Sequence, residues 1–503
     1  MKKLTWRKHH KWFGLVLCFF LLMFCLSGIV LNHRRAVSGV DVSRSGLLAR
    51  YRHRSWSGGL LRGTLALDDS TVLVYGSGGL WLTTREGTTY ADFNDGLPRG
   101  ADRRNIRSVV RTADGRLFAA GNWGLYVRHL DSPWTSVNLP AAGDERLTDL
   151  TLCGDSLVLL SRSYLYLSVA PFTDFRRCEL KASADGDGRV TLFRTVWLLH
   201  SGELFGRVGQ TVVDIVALLI ITLCVTGFLF FVAPKWGKWR RRHGHTTRAA
   251  DTARRSLLLH DRIGRVSIVL TILVCLTGWC LRPPAMIPLA IGRVKPVPGS
   301  KLDSRNPWHD KLRMIRRDTL AGDWLVSTSE GFFAMSSFDE APRKLTGAPP
   351  VSVMGLNVWQ VDSLGRWICG SFSGVYVWER ATGRVSDYYT GTSVDVRASR
   401  TSVGSVSASG FTSDMACGPT VVDYSRGAPD LVQPRELSRL PMSLWNFALE
   451  VHSGRFYLGS AATLFFVFFA GGAALWCLWT GWKVRRNIRG KGRKPFGRRR
   501  RNA

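Results

Sequence analysis

The 503-residue sequence predicts a membrane α-helical bundle of four transmembrane helices, arranged as two repeats of two, with an external all-β domain of propeller-like spacing. Three observations predict it. Four apolar runs are long enough to cross a bilayer, a basic excess lies on one side of them, and a hairpin pattern recurs every 40 to 45 residues between them.

A hydrocarbon core takes roughly 20 helical residues, and four runs supply them: about Trp12–Leu31, Val212–Ala233, Ile263–Leu281 and Tyr457–Trp479. The first follows a basic start, but it is too long for a signal peptide and lacks a small-residue cleavage site, so it reads as a retained helix. Residues 2–11 hold five Lys or Arg, residues 235–262 hold nine against two Asp, and residues 483–501 hold eleven. These 25 basic and two acidic residues carry +23 of the formal +32. Short basic juxtamembrane segments stay in the cytoplasm, so both termini are expected inside a bacterial inner membrane and both large segments outside. Arg34 and Arg35, just beyond the first run, are the local exception. Arg498–Arg501 then reads as a topology signal and anionic-lipid contact rather than a nucleic-acid site. The expected division is 1–33 (first span), 34–199 (external β), 200–235 (second span), 236–259 (basic loop), 260–286 (third span), 287–451 (external β), 452–482 (fourth span) and 483–503 (basic tail).

An internal repeat relates the halves. His10-Lys-Trp-Phe-Gly14 recurs as His260-Asp-Arg-Ile-Gly264, and Cys25-Leu-Ser-Gly28 as Cys275-Leu-Thr-Gly278, at an offset of 250. His200-Ser-Gly recurs as His452-Ser-Gly at an offset of 252, ahead of spans two and four. Farther on, Thr226-Gly227 is matched by Thr480-Gly481.

The segments between spans are rich in β-branched and aromatic residues punctuated by Gly, Asp and Ser. The hairpin pattern starts at Val72, Leu117, Leu157, Trp324 and Trp367, with a degraded sixth copy near Cys417-Gly418. That spacing matches a propeller blade, with three blades from each half closing one ring; two separate β-sandwiches are the alternative. Asp68, Asp114 and Asp155 stand where turns are expected and read as turn formers. Of the ten cysteines four lie outside the spans, Cys153, Cys178, Cys369 and Cys417, and the first two form a candidate disulfide. No nucleophile–base pair, Walker loop or Rossmann fingerprint occurs, so no catalytic side chain is assigned.

Five of eleven histidines stand at span edges: His10 and His260 on the inner side, His33, His200 and His452 on the outer. Haem iron held by two imidazoles needs neutral histidines from different helices, and repeat symmetry brings His10 level with His260 and His200 level with His452. Gly14 and Gly264, four residues after their histidines, lie on the same helical face and would let a flat macrocycle approach. The alternative is that the histidines bond lipid headgroups and the glycines, with Gly28, Gly227 and Gly278, serve helix packing. His33 aligns with Pro283 and lacks a repeat mate.

These motifs, with the Leu-Ser-Gly-Ile-Val-Leu-Asn-His33 exit from span one, resemble the PepSY-associated transmembrane family, which includes ferric-siderophore reductases. The resemblance covers the spans and their edges. It implies two b-type haems, with His10 and His260 as iron ligands of the inner one and His200 and His452, with His33 as a fifth candidate, for the outer. It further implies electron transfer from a quinol or a separate reductase to an external acceptor such as a ferric siderophore. The β-rich external segments depart from the small α/β modules common in that family. A membrane-anchored β-propeller that binds a periplasmic ligand or partner, without haem or catalysis, is the competing reading.

Overall fold

A computed structural model describes residues 3–129, 131–140, 143, 145–352, 354–396 and 406–489. The basic tail beyond residue 489, with Arg498–Arg501, lies outside the described residues. The chain forms two compact units: a helical one of Met1–Arg34, Gly188–Asp303 and Trp445–Ala503, and a β-rich one of Arg35–Asp187 and Ser304–Leu444.

The helical unit is built from α1 (Lys3–Asn32), α2 (Leu192–Ser201), α3 (Gly206–Arg242), α4 (Ala249–Cys280), α5 (Leu444–His452) and α6 (Ser460–Arg489). Four of these, α1, α3, α4 and α6, are long and apolar enough to cross a membrane, which implies a lipid environment. Both α1 and α4 pack against α3 and against α6. Cys25, Val216, Ile220 and Cys224 form a buried core between α1 and α3, whereas Val16, Val266 and Phe465 lie on exposed outward faces, as lipid contact requires. Thr191 caps α2 through its hydroxyl, which accepts from Arg194 N, and Gly202 ends the helix in the left-handed region at φ 79°.

Two expected boundaries move. The basic loop placed at 236–259 is mostly helix, because α3 runs to Arg242 and α4 begins at Ala249, leaving residues 243–248 as the turn. Lys and Arg are good helix formers, and Arg240–Arg242 end α3 where positive charge is favoured. The external segments placed at 34–199 and 287–451 are shorter in the β-rich unit, since residues 188–199, 287–303 and 445–451 pack with the helices. There Val190 and Thr191 pair with Val294 and Arg293.

Among the described residues, and besides a short pairing of Asp41–Val42 with Met442–Ser443, the β-rich unit contains five four-stranded antiparallel sheets and a two-stranded one. They are β1–β4 (Gly63–Ala66, Thr71–Gly76, Gly79–Thr84, Tyr90–Asp92), β5–β8 (Ile106–Arg111, Leu117–Gly121, Leu125–Arg128, Thr135–Val137), and β9–β12 (Leu147–Cys153, Ser156–Ser161, Leu165–Val169, Arg176–Cys178). From the second segment come β13–β16 (Leu312–Asp318, Asp323–Thr328, Gly331–Met335, Arg343–Lys344), β17–β20 (Val358–Val361, Trp367–Ser371, Gly374–Glu379, Arg384–Asp387) and β21–β22 (Ala408–Thr412, Thr420–Asp423). Each of the five hairpins read from the sequence is the second and third strand of its sheet, and Cys417-Gly418 falls in the turn of the sixth.

Each sheet shares an apolar core with the next: Leu73 with Ile106, Phe118 with Leu150, Val158 with Ile315, Phe332 with Trp359, and Ile368 with Phe411. The sixth shares one with the first through Val422, Met415, Val72 and Val74. The candidate Cys153–Cys178 disulfide is absent, and both thiols are free. They sit on β9 and β12, the two edges of one four-stranded sheet, and strands spaced about 4.8 Å apart put them far beyond disulfide reach.

Candidate functional site

Four of the span-edge histidines meet in two pairs. The rings of His10 on α1 and His260 on α4 have centroids 6.0 Å apart with planes inclined by 69°. Those of His200 on α2 and His452 on α5 are 6.1 Å apart at 48°. His10 and Gly28, which belong to different pairs, are 18 residues apart on α1, so the two levels are separated by roughly 27 Å of helix.

Every one of the four is seated on a neighbouring helix by the same contacts. Its Nδ1 lies at hydrogen-bond distance from a backbone carbonyl: Cys477 O for His10 (3.0 Å), Leu223 O for His260 (3.0 Å), Val274 O for His200 (3.1 Å) and Phe24 O for His452 (2.9 Å). Three residues on in every case, a Ser or Thr hydroxyl approaches the same nitrogen: Thr480 at 3.5 Å, Thr226 at 3.2 Å, Thr277 at 3.2 Å and Ser27 at 3.1 Å. The next residue is always glycine. A Cβ at Gly481, Gly227, Gly278 or Gly28 would stand 3.0, 3.4, 2.7 or 3.3 Å from the Cε1 of its histidine, so the missing side chain makes room for the ring.

This seat fixes the tautomer. Carbonyl oxygens only accept, and each hydroxyl donates to a carbonyl of its own helix: Ser27 to Met23 O, Thr226 to Thr222 O, Thr277 to Leu273 O and Thr480 to Cys477 O. The proton therefore sits on Nδ1, and the Nε2 lone pair is left without a hydrogen bond among the described residues. A histidine that donates from one nitrogen to a backbone carbonyl and offers the other is the arrangement metal-ligating histidines adopt.

The donor set fits haem iron. Two imidazoles bound through Nε2 at about 2 Å from one metal hold their centroids roughly 6 Å apart, which is the separation in both pairs. Among the described residues no group of three or more His, Cys, Asp and Glu is placed to hold a metal ion. Two-ligand pairs suit an equatorially filled iron better than a bare cation.

The other sequence candidates lie apart. His33 Nε2 pairs with Asp214 Oδ2 at 2.8 Å, its side chain half exposed, while Asn32 Nδ2 donates to Asp214 Oδ1 and to Ser201 O. Gly14 and Gly264 meet Cys477 Sγ at 3.6 Å and Leu223 Cδ2 at 3.7 Å, ordinary helix packing rather than contact with an imidazole. The glycines that face the rings are those of the four Ser/Thr-Gly steps. Their recurrence once in each span was the available signal, visible as repeat marks without their role.

Residues 1–234 match the family model of the PepSY-associated TM region, so that part of the resemblance is shown. The matched stretch holds the first repeat, with His10, His33 and His200. No curated protein matches the chain. Solved structures similar to it include the extracellular domain described as that of a hybrid two-component system from Bacteroides thetaiotaomicron, at 10% identity and TM-score 0.35, covering 73% of this chain and 32% of that one. The chain thus spans about a third of that protein's length. A structural-genomics protein of unknown function from the same organism has 10% identity and TM-score 0.36, covering 78% of this chain and 74% of its own. Neither likeness is close enough to carry a functional reading.

Proposed function

For a chain whose first half carries a PepSY-associated TM region, we propose a transmembrane electron-transfer protein with two b-type haems, reducing an external acceptor such as a ferric siderophore. The observation that carries this reading is the fourfold seat, in which Nδ1 is held as a donor at His10, His260, His200 and His452 while the rings of each pair stand 6.0 and 6.1 Å apart. When bound, haem supplies a one-electron couple whose potential the ligands and their surroundings tune. The protein's share is to hold each ring in one orientation, keep its distal proton on a carbonyl, and exclude water between apolar helices. Quinol or a separate reductase is the proposed donor. Both termini face the cytoplasm and the β-rich unit the periplasm in this reading, which rests on the basic segments.

The β-rich unit is read as a six-bladed propeller whose sixth blade is reduced to two strands. The support is six shared cores in cyclic order, with Phe411 N bonding Arg62 O at 3.1 Å between the last and first sheets. The same cycle favours the second reading, a membrane-anchored binding module without haem. One measurement separates them. Protein purified in detergent should show a reducible b-type Soret and α band with two haems per chain, and no band after haem supplementation would leave only the binding module.

A further inference from the structure

The first strands of the sheets in the β-rich unit bring a polar cluster together. Asp149 on β9, fully buried, accepts from Ser108 Oγ on β5 (2.6 Å), from Ile315 N (2.9 Å) and from the Arg316 guanidinium on β13. Thr64 on β1 donates to Asp414 Oδ2 and lies 3.0 Å from Thr412 Oγ1 on β21. Arg316 also donates from Nε to Trp359 O at 3.1 Å. Both carboxylates and one arginine are thereby satisfied.

Arg62 is not. Its backbone is locked, N donating to Tyr75 O (2.8 Å) and O accepting from Phe411 N (3.1 Å). Its Nε is buried without a hydrogen-bond partner, and no hydrogen bond or ion pair reaches its guanidinium among the described residues. Tyr75, from β2, and Asp149 are its electrostatic neighbours. The Tyr75 hydroxyl lies over Gly63, where a Cβ would stand 2.3 Å away, and it too bonds nothing among the described residues. Burial pushes Tyr75 up to about 12, so this hydroxyl remains a proton donor. Arg62 as a whole is only half-buried, so its two terminal amino groups, unlike Nε, are open to a ligand, and the planar fork they form matches a carboxylate or phosphate.

We propose that Arg62 and Tyr75 form a binding site for the oxyanion of a small ligand, a carboxylate or phosphate group, where the first strands of the six sheets converge. Arg62 supplies the charge and the fork, and Tyr75 the third donor. Arg316 and Asp149 position the site without spending their own bonds on the ligand. The site does not depend on the haem reading, and its test uses no haem signal.

The test is calorimetry and thermal unfolding of the full chain in detergent with citrate and, separately, inorganic phosphate as probes. The expected result is millimolar or tighter binding of at least one, with a raised unfolding temperature; citrate alone assigns a carboxylate ligand, phosphate alone a phosphate. Arg62→Met should weaken binding at least tenfold while the ligand-free protein keeps its fold and its unfolding temperature, because no hydrogen bond or ion pair is lost among the described residues. Tyr75→Phe should weaken it several-fold, and it carries the test by itself should Arg62→Met not fold. No binding of either probe, or unchanged binding in the variants, overturns the proposal.

Discussion

The inner and outer histidine pairs use one kind of seat but different supports. His10 and His260 lie on α1 and α4, helices of 30 and 32 residues, so their meeting is set by how two long rods cross. His200 and His452 end α2 and α5, helices of 10 and 9 residues, too short to hold a ring by their own rigidity. They depend on turns: Gly202 at φ 79°, where a Cβ would lie 2.2 Å from Gly209 O, and Gly454 at φ 80°. The inner site is thus a property of the bundle, and the outer one a property of two corners attached to it.

Substitutions break this contrast to different degrees. The largest effect is expected from the proposed haem ligands: His260→Ala should remove about half the b-type absorbance, His200→Ala the other half, and the double variant all of it, each read from reduced-minus-oxidised spectra. Gly278→Leu comes next, since even a Cβ there stands 2.7 Å from His200 Cε1; it should empty the outer site and leave the inner spectrum intact. Gly202→Ala should lower outer-site occupancy in part, through a left-handed residue costing about 1–2 kcal/mol and the clash with Gly209, with no change at the inner pair. Thr277→Val should keep both haems and shift only the outer midpoint potential, by about 40 mV if one hydrogen bond is worth about 1 kcal/mol. Thr480→Val should move the inner potential less, because its hydroxyl is 3.5 Å from His10 rather than 3.2 Å. A uniform response of both potentials to Thr277→Val would show that the pairs are not separate centres.

Much of this was legible in the residues. Apolar length predicted the four long helices, and the constant offset between His10 and His260 predicted that these two would meet. The hairpins from Val72 to Trp367 were readable because alternation and turn residues are local signals. What was not legible depends on contacts between helices. Nothing local distinguishes Gly14, which packs on Cys477, from Gly481, which clears space for His10. His33 stood at the right depth for a ligand, and its partner Asp214 lies 181 residues away on α3. Cys153 and Cys178 are close in sequence, but a four-stranded sheet places its first and last strands at opposite edges. Residues 236–259 looked like a loop because charge dominates them, although Lys and Arg extend helices readily.

The four seats also cross between the halves of the chain. His10 rests on α6 and His260 on α3; His200 rests on α4 and His452 on α1. None of these four histidines is held by a helix of its own repeat. A single two-span unit would therefore have four half-seats and no complete one, and it would acquire both sites only by associating with a second copy of itself. Two such copies joined end to end through a turn like that at residues 243–248 yield this chain. The halves are not identical, however: the His33–Asp214 pair is present in one, and Pro283 stands in the place of His33 in the other, so the fourfold seat is retained where the span edge beside it differs.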